Sequence, residues 1–101
     1  MQAVAPQQIS FRGRISVDNS NEMRTALNRA LQLKPKEVDV DLSQVSSIDL
    51  SGLATLLEAT RIARNQGTRL TIAGIQGQVQ LLFAITHLDE MLDTAAEARS
   101  A

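Results

Sequence analysis

Cysteine is absent from the sequence, and that removes a disulfide framework, a thiolate nucleophile and a cysteine-ligated zinc site. Tryptophan and tyrosine are absent as well, which leaves Phe11 and Phe83 as the aromatic residues. An aliphatic core is therefore expected, and stacking of nucleobases on aromatic side chains is an unsuitable binding mode. His87 is the single histidine, so no H-x-x-H metal spacing exists. Basic and acidic residues nearly balance, ten against eleven, giving a net charge of -1. That balance offers no basic field for nucleic acid or for an anionic membrane surface. No apolar run approaches the roughly 20 residues of a membrane span. The opening MQAVAPQQISFRGR lacks the basic and apolar regions of a signal peptide. A cytoplasmic protein without direct membrane insertion is expected.

The chain has 101 residues, 44% of them hydrophobic, which suits one globular domain with a single core. Residues 1–8 are polar, contain Pro6 and show no period, so they read as a loose arm. In ISFRGRI, Ile9, Phe11 and Ile15 share one parity, as in a half-buried strand, with Gly13 at a bulge or close approach. Met23, Ala26, Leu27, Ala30 and Leu31 then recur at helical spacing. Asn19 is placed to cap that helix, Glu22 to complete a capping box, and Pro35 to stop it. EVDVDL alternates, with Val38, Val40 and Leu42 on one face and Asp39 and Asp41 on the other. The stretch SSID bridges to a second helix, from Ser51 to Asn65, whose buried stripe is Leu53, Leu56, Leu57, Thr60 and Ala63.

Gly67 ends that helix, and TRLTIAG forms a further strand with Leu70 and Ile72 inward. A third helix runs from Gln78 to Thr86 around Val79, Leu82 and Phe83. Leu88, Met91 and Leu92 belong to a last short helix, and TAAEARSA is a fraying end. The divisions are residues 1–8, a domain over 9–93, and a tail over 94–101. Strands alternating with helices predict an α/β fold. The expected form is a short, mostly parallel sheet of about four strands, with about four helices packed mainly on one side.

Catalytic chemistry finds little support. No G-x-S-x-G elbow surrounds Ser51, and no Ser-His-Asp set can be assembled around His87. Gly52, Gly67, Gly74 and Gly77 form no phosphate-loop pattern. Asp39 and Asp41 read as solvated strand acids rather than an acid–base pair. No catalytic residue, metal or cofactor is expected. Charge is unevenly spread: residues 1–36 hold six Lys/Arg and two acids, whereas residues 37–58 hold five acids and no base. Solvated faces account for this, and a bipolar surface could also orient a charged partner.

The stretch SSIDLSGLATLL stands out, because Asp49 and Ser51 lie where a helix begins. Either can cap it by accepting hydrogen bonds from free N–H groups. A serine at a helix start can also carry phosphate, and Gly52 would leave it unshielded. Leu50, Ala54 and Ile62 could form a docking patch there.

From VDVDLSQVSSIDLSGL through ARNQG and RLTIAG to THLDEML, residues 9–93 resemble the STAS domain of bacterial anti-sigma factor antagonists. RGRISVDNSNEMRTAL resembles that family's early turn and first helix. The resemblance implies a binding module, not an enzyme. Its partner would be an anti-sigma factor or serine kinase, switched by phosphorylation and acting on transcription. Asp49, Leu50, Ser51, Gly52, Ala54, Thr55 and Ile62 would make the contact, with Ser51 the phosphorylation candidate. The family acceptor position, directly after the aspartate, is Leu50 here. A strand common ahead of the first one is short or missing. STAS domains also serve as accessory subunits of lipid-transport ABC complexes, bound to the ATPase without a phosphoswitch, and Leu50 suits that alternative.

Overall fold

The structure is a computed structural model in which residues 4–87 are described. Its elements are β1 (Gln7–Ile15), α1 (Ser20–Gln32), β2 (Glu37–Ile48), α2 (Leu50–Gln66), β3 (Arg69–Ala73) and α3 (Gly77–Thr86). The class is the expected α/β, with three strands and three helices among the described residues. The further helix expected around Leu88, Met91 and Leu92 lies outside them. Strand order is β1-β2-β3, and both pairs are parallel. Two right-handed crossovers taken in the same direction bring α1 and α2 to one face. The burial pattern agrees. Val38, Val40, Leu42, Leu70 and Ile72 are buried on the helix-covered face. Gln8 and Ser10 on the opposite face are exposed, and Asp39, Asp41 and Thr71 are half-buried.

The helical stripes interlock over this face. Met23, Leu27, Ala30 and Leu31 of α1 meet Leu53, Leu56, Ala59 and Ala63 of α2, and α3 adds Val79 and Phe83. Thr55 joins the expected stripe as a buried residue, while Leu57 is only half-buried. The ends of α1 and α2 are tied by polar side chains. Gln66 donates to the Leu31 carbonyl at 2.8 Å, and the buried Thr68 hydroxyl donates to the Pro35 carbonyl at 2.7 Å.

Four local expectations change or sharpen. Asn19 occupies the N-cap position of α1 but makes no side-chain cap. Its Oδ1 accepts from Ser16 N at 2.8 Å and its Nδ2 donates to the Arg14 carbonyl at 2.7 Å, so it closes the β1–α1 turn and no capping box forms. Gly13, at φ 78°, marks an irregularity, but the extra residues lie on β2, which carries one opposite Phe11 and another beside Gly13 and Arg14. The Ser43 backbone N–H donates to Asp41 Oδ1 at 2.9 Å beside the first bulge. That N–H, followed by the Ser43 hydroxyl, holds the Asp41 carboxyl below its ordinary pKa, so Asp41 is engaged rather than merely solvated.

Finally, the SSI expected as a bridge is strand. β2 outruns β3, which ends opposite Asp41. Two glutamine side chains bond to this overhang at Ser43 and Ile48. Gln76 Nε2 donates to the Ser43 carbonyl at 2.6 Å. Gln78 Oε1 accepts from Ile48 N at 2.9 Å while its Nε2 donates to the Ile48 carbonyl at 3.2 Å. One side-chain amide thus does for Ile48 what a neighbouring strand would do. This clamp requires the chain to pass close to β2 at Gly74, where φ is 78° and a Cβ would lie 2.6 Å from Ser43 N.

Gln78→Ala is expected to destabilise the fold by about 1–3 kcal/mol, because it strands both polar groups of Ile48. The exposed neighbour change Gln80→Ala should stay within about 0.5 kcal/mol. Urea denaturation of the two variants checks the difference.

Candidate protein-docking site

The end of β2 and the start of α2 meet at Asp49. Its backbone is extended (φ -108°, ψ -175°), and its N–H donates to the Ile15 carbonyl at 3.1 Å. One carboxylate oxygen caps α2, accepting from Ser51 N at 2.9 Å, Gly52 N at 3.2 Å and Ser51 Oγ at 2.5 Å. The other accepts from Val17 N, 32 positions away in sequence, at 3.1 Å. The Ser51 hydroxyl is the largest influence on this carboxyl and lowers its pKa. Desolvation opposes the shift, and the N–H groups of Gly52, Val17 and Ser51 reinforce it. Asp49 is therefore the cap of α2. Ser51 is a donor to the cap, not the cap itself, and its helix begins at Leu50 rather than Ser51.

Gly52 is buried, so it does not serve to expose Ser51. A Cβ at that position would lie 2.5 Å from Ile48 Cγ1 and 2.8 Å from Ile15 Cγ2. The glycine lets the first turn of α2 sit on the ends of β1 and β2.

The sequence-selected residues separate into two groups. Leu50 is 67% exposed, Ala54 is exposed one turn later, and Asp49 and Ser51, the residues on either side of Leu50, are half-buried. Thr55 is buried and its hydroxyl donates to the Ser51 carbonyl at 2.9 Å, so neither it nor Gly52 is available to a partner in this conformation. Ile62 is half-buried against the core, about 18 Å along the helix from Leu50. It does not extend the patch. Val17, which the sequence reading passed over, does. It is 72% exposed, and its N–H is held by the same carboxylate that precedes Leu50. The available signal was an apolar residue set among turn formers, in Ser16-Val17-Asp18-Asn19. His87 lies at the C-cap of α3, the opposite end from Gln78. Among the described residues, no group of three His, Asp or Glu side chains is placed to hold a metal ion. No described helix is long and apolar enough to cross a membrane.

A family model described as "Mlab, STAS domain" matches residues 2–93. The chain belongs to the STAS domain family. Members of this family are binding and regulatory modules that engage protein partners. The chain is 39% identical over 49 residues to the intermembrane phospholipid transport system binding protein MlaB of Escherichia coli (strain K12), and equally to that of Shigella flexneri. Each match covers 48% of this chain and 50% of the relative, so it spans half the length of these curated relatives.

The fold is similar to that of an anti-sigma factor antagonist from Mycobacterium paratuberculosis. That structure has a TM-score of 0.77 and 18% identity, with 85% of this chain and 74% of that one covered. It is also similar to a sulfate transporter family protein from Wolinella succinogenes, at TM-score 0.75 and 19% identity, covering 93% and 74%. SpoIIAA, an anti-sigma factor antagonist solved in its unphosphorylated form, gives 0.74 and 16%, covering 98% and 89%. At these identities the likeness concerns the fold.

Gly52→Ala should destabilise the STAS domain by about 1–3 kcal/mol through overpacking, despite alanine's better helix propensity. Chemical denaturation measures it. The Asp49 carboxyl also generates a pH signature. Its folded pKa lies below the ordinary 3.8, so its contribution is complete above the unfolded value and is lost as pH falls through the folded one. Asp49→Asn should lower stability near neutral pH and flatten the acid-side decline, as read from urea midpoints at successive pH values.

Proposed function

We propose that this STAS domain is a non-catalytic, cytoplasmic binding subunit of a phospholipid-transport ABC complex, docked on the ATPase through Leu50, Val17 and Ala54. The supporting observation is Leu50, 67% exposed at the position where the phosphoswitching members place a hydroxyl. Full burial of such a side chain contributes about 1.5–3 kcal/mol, enough to anchor a standing contact. The partial likeness to MlaB supports the same direction.

The competing reading is an anti-sigma factor antagonist that switches partners when Ser51 is phosphorylated. Ser51 is half-buried and its hydroxyl donates to Asp49. Phosphate on Ser51 would remove that donor and place about 1.5–2 negative charges beside the Asp49 carboxylate. Such a modification would act on the helix cap as well as on a partner. The family likeness to anti-sigma factor antagonists keeps this reading as the alternative outcome.

The test is affinity capture of the tagged protein from its native cell, with the intact mass of the bait recorded. An ABC ATPase with an unmodified bait is the expected result. Leu50→Asp should weaken that complex by about tenfold or more, while Ser51→Ala leaves it largely intact. Recovery of an anti-sigma factor or serine kinase, with phosphate on Ser51 and loss of binding in Ser51→Asp, would overturn the proposal in favour of the switch.

A further inference from the structure

The outer edge of β1 carries the strongest unassigned feature. Among the described residues β1 is an edge strand, with β2 on one side and no strand on the other. Edge strands present unpaired N–H and C=O groups, and natural proteins blunt them with charge, proline or bulges. From Gln7 to Phe11 this strand has none of these. Its residues are Gln, Gln, Ile, Ser and Phe, and the extra residues of the bulges belong to β2. Arg12, Gly13 and Arg14 follow only afterwards. Ile9 and Phe11 pack against the core yet remain half-exposed. A groove of about 280 Å³ opens beside them, lined by Phe11, Ile15 and Met23 with Arg12, Asn19 and Glu22 at its polar margin.

We propose that this edge pairs antiparallel with β1 of a second copy of the chain, joining two three-stranded sheets into one of six strands. The occupant follows from the pattern of the strand. A two-fold axis at Ser10 sets Ser10 opposite itself, Ile9 opposite Phe11 of the second copy, and Gln8 opposite its Arg12. Every pair is compatible. The aromatic–β-branched pairs fall on the helix-covered face, and the uncharged or singly charged pairs fall on the open face. No like charges are opposed. Gly13, at φ 78°, ends the regular segment beyond Arg12. In this register the second copy's Ile9 and Phe11 side chains face the groove beside Met23. The other sheet edge, β3, is five residues long against nine in β1, and it opens on the charge of Arg69, whereas the first charge on β1 comes only at Arg12. The β1 edge is separate from the Leu50 docking patch, and the two readings can fail independently. Five paired residues make a small interface, so the association is a weak and reversible one.

Sedimentation equilibrium of the whole chain, from low micromolar to near-millimolar concentration, provides the test. The wild type is expected to dimerise reversibly. Ser10→Lys puts like charges opposite each other at the axis and should raise the dimer dissociation constant at least tenfold. Its circular dichroism and melting should be unchanged, because Ser10 is exposed in the monomer. The chain has no native cysteine, so a nitroxide on Ser10→Cys reports the axis directly. Concentration-dependent spin–spin broadening is expected there and not from Glu58→Cys on α2. A wild type that stays monomeric overturns the proposal. So does a dimer untouched by Ser10→Lys, or one whose Ser10 labels stay apart. If the β1 amides resist hydrogen exchange only when a different protein is bound, the edge serves that partner, and the second-copy assignment is overturned.

Discussion

A single carboxylate holds together the β2–α2 junction and the loop after β1. Asp49 receives hydrogen bonds from the first turn of its own helix and from the loop after β1. The negative charge suits the positive end of the α2 dipole, so the same group satisfies free N–H donors and favourably meets the helix field. Because its second oxygen holds Val17 N, the β1–α1 loop and the α2 start are fixed relative to each other. The two exposed aliphatic side chains, Val17 and Leu50, are presented from that shared support.

Beneath the cap, β2 is the organising strand. Its covered face is buried Val38, Val40 and Leu42, and every helix contributes aliphatic or phenyl packing to the core around it. A core nearly free of aromatics must gain its stability from many small contacts, which places a premium on close approach. Gly52 is the consequence at the site: the helix rests where any side chain would meet Ile48 and Ile15. At the other side of β2, beyond the end of β3, Gln76 bonds the Ser43 carbonyl and Gln78 bonds both polar groups of Ile48. β2 can therefore reach Asp49 as a strand, and the cap lands at the end of a rigid element.

Much of this was legible in the sequence. The alternation in EVDVDL, the spacing of Met23, Leu27 and Leu31, and the stop at Gly67 each depend on neighbours within a few residues. Local sterics and amphipathic period suffice to read them. The alternating order of strands and helices likewise implied parallel pairs and helices on one side. The STAS resemblance rested on that same order together with the Asp49-to-Leu53 motif. Asp49 and Ser51 were visible as polar groups at a helix start, but not which one capped and which one donated.

The sequence by itself determined the element order, the aliphatic core and the position of the helix start at the DLSG stretch. Tertiary structure alone decided that Thr55 and Gly52 turn inward and that Ile62 packs on the core. It also decided that the Val17 backbone is tied to Asp49, the residue before Leu50, and that Gln78 completes Ile48. The physical reason is range. Periodicity is set by residues a turn or a pleat apart, whereas the hydrogen bonds from Asp49 to Val17 and from Gln78 to Ile48 span 32 and 30 positions. Such partners meet only after the sheet and its helices have packed, and a hydrogen-bonding side chain carries no local mark of which distant backbone group it will satisfy.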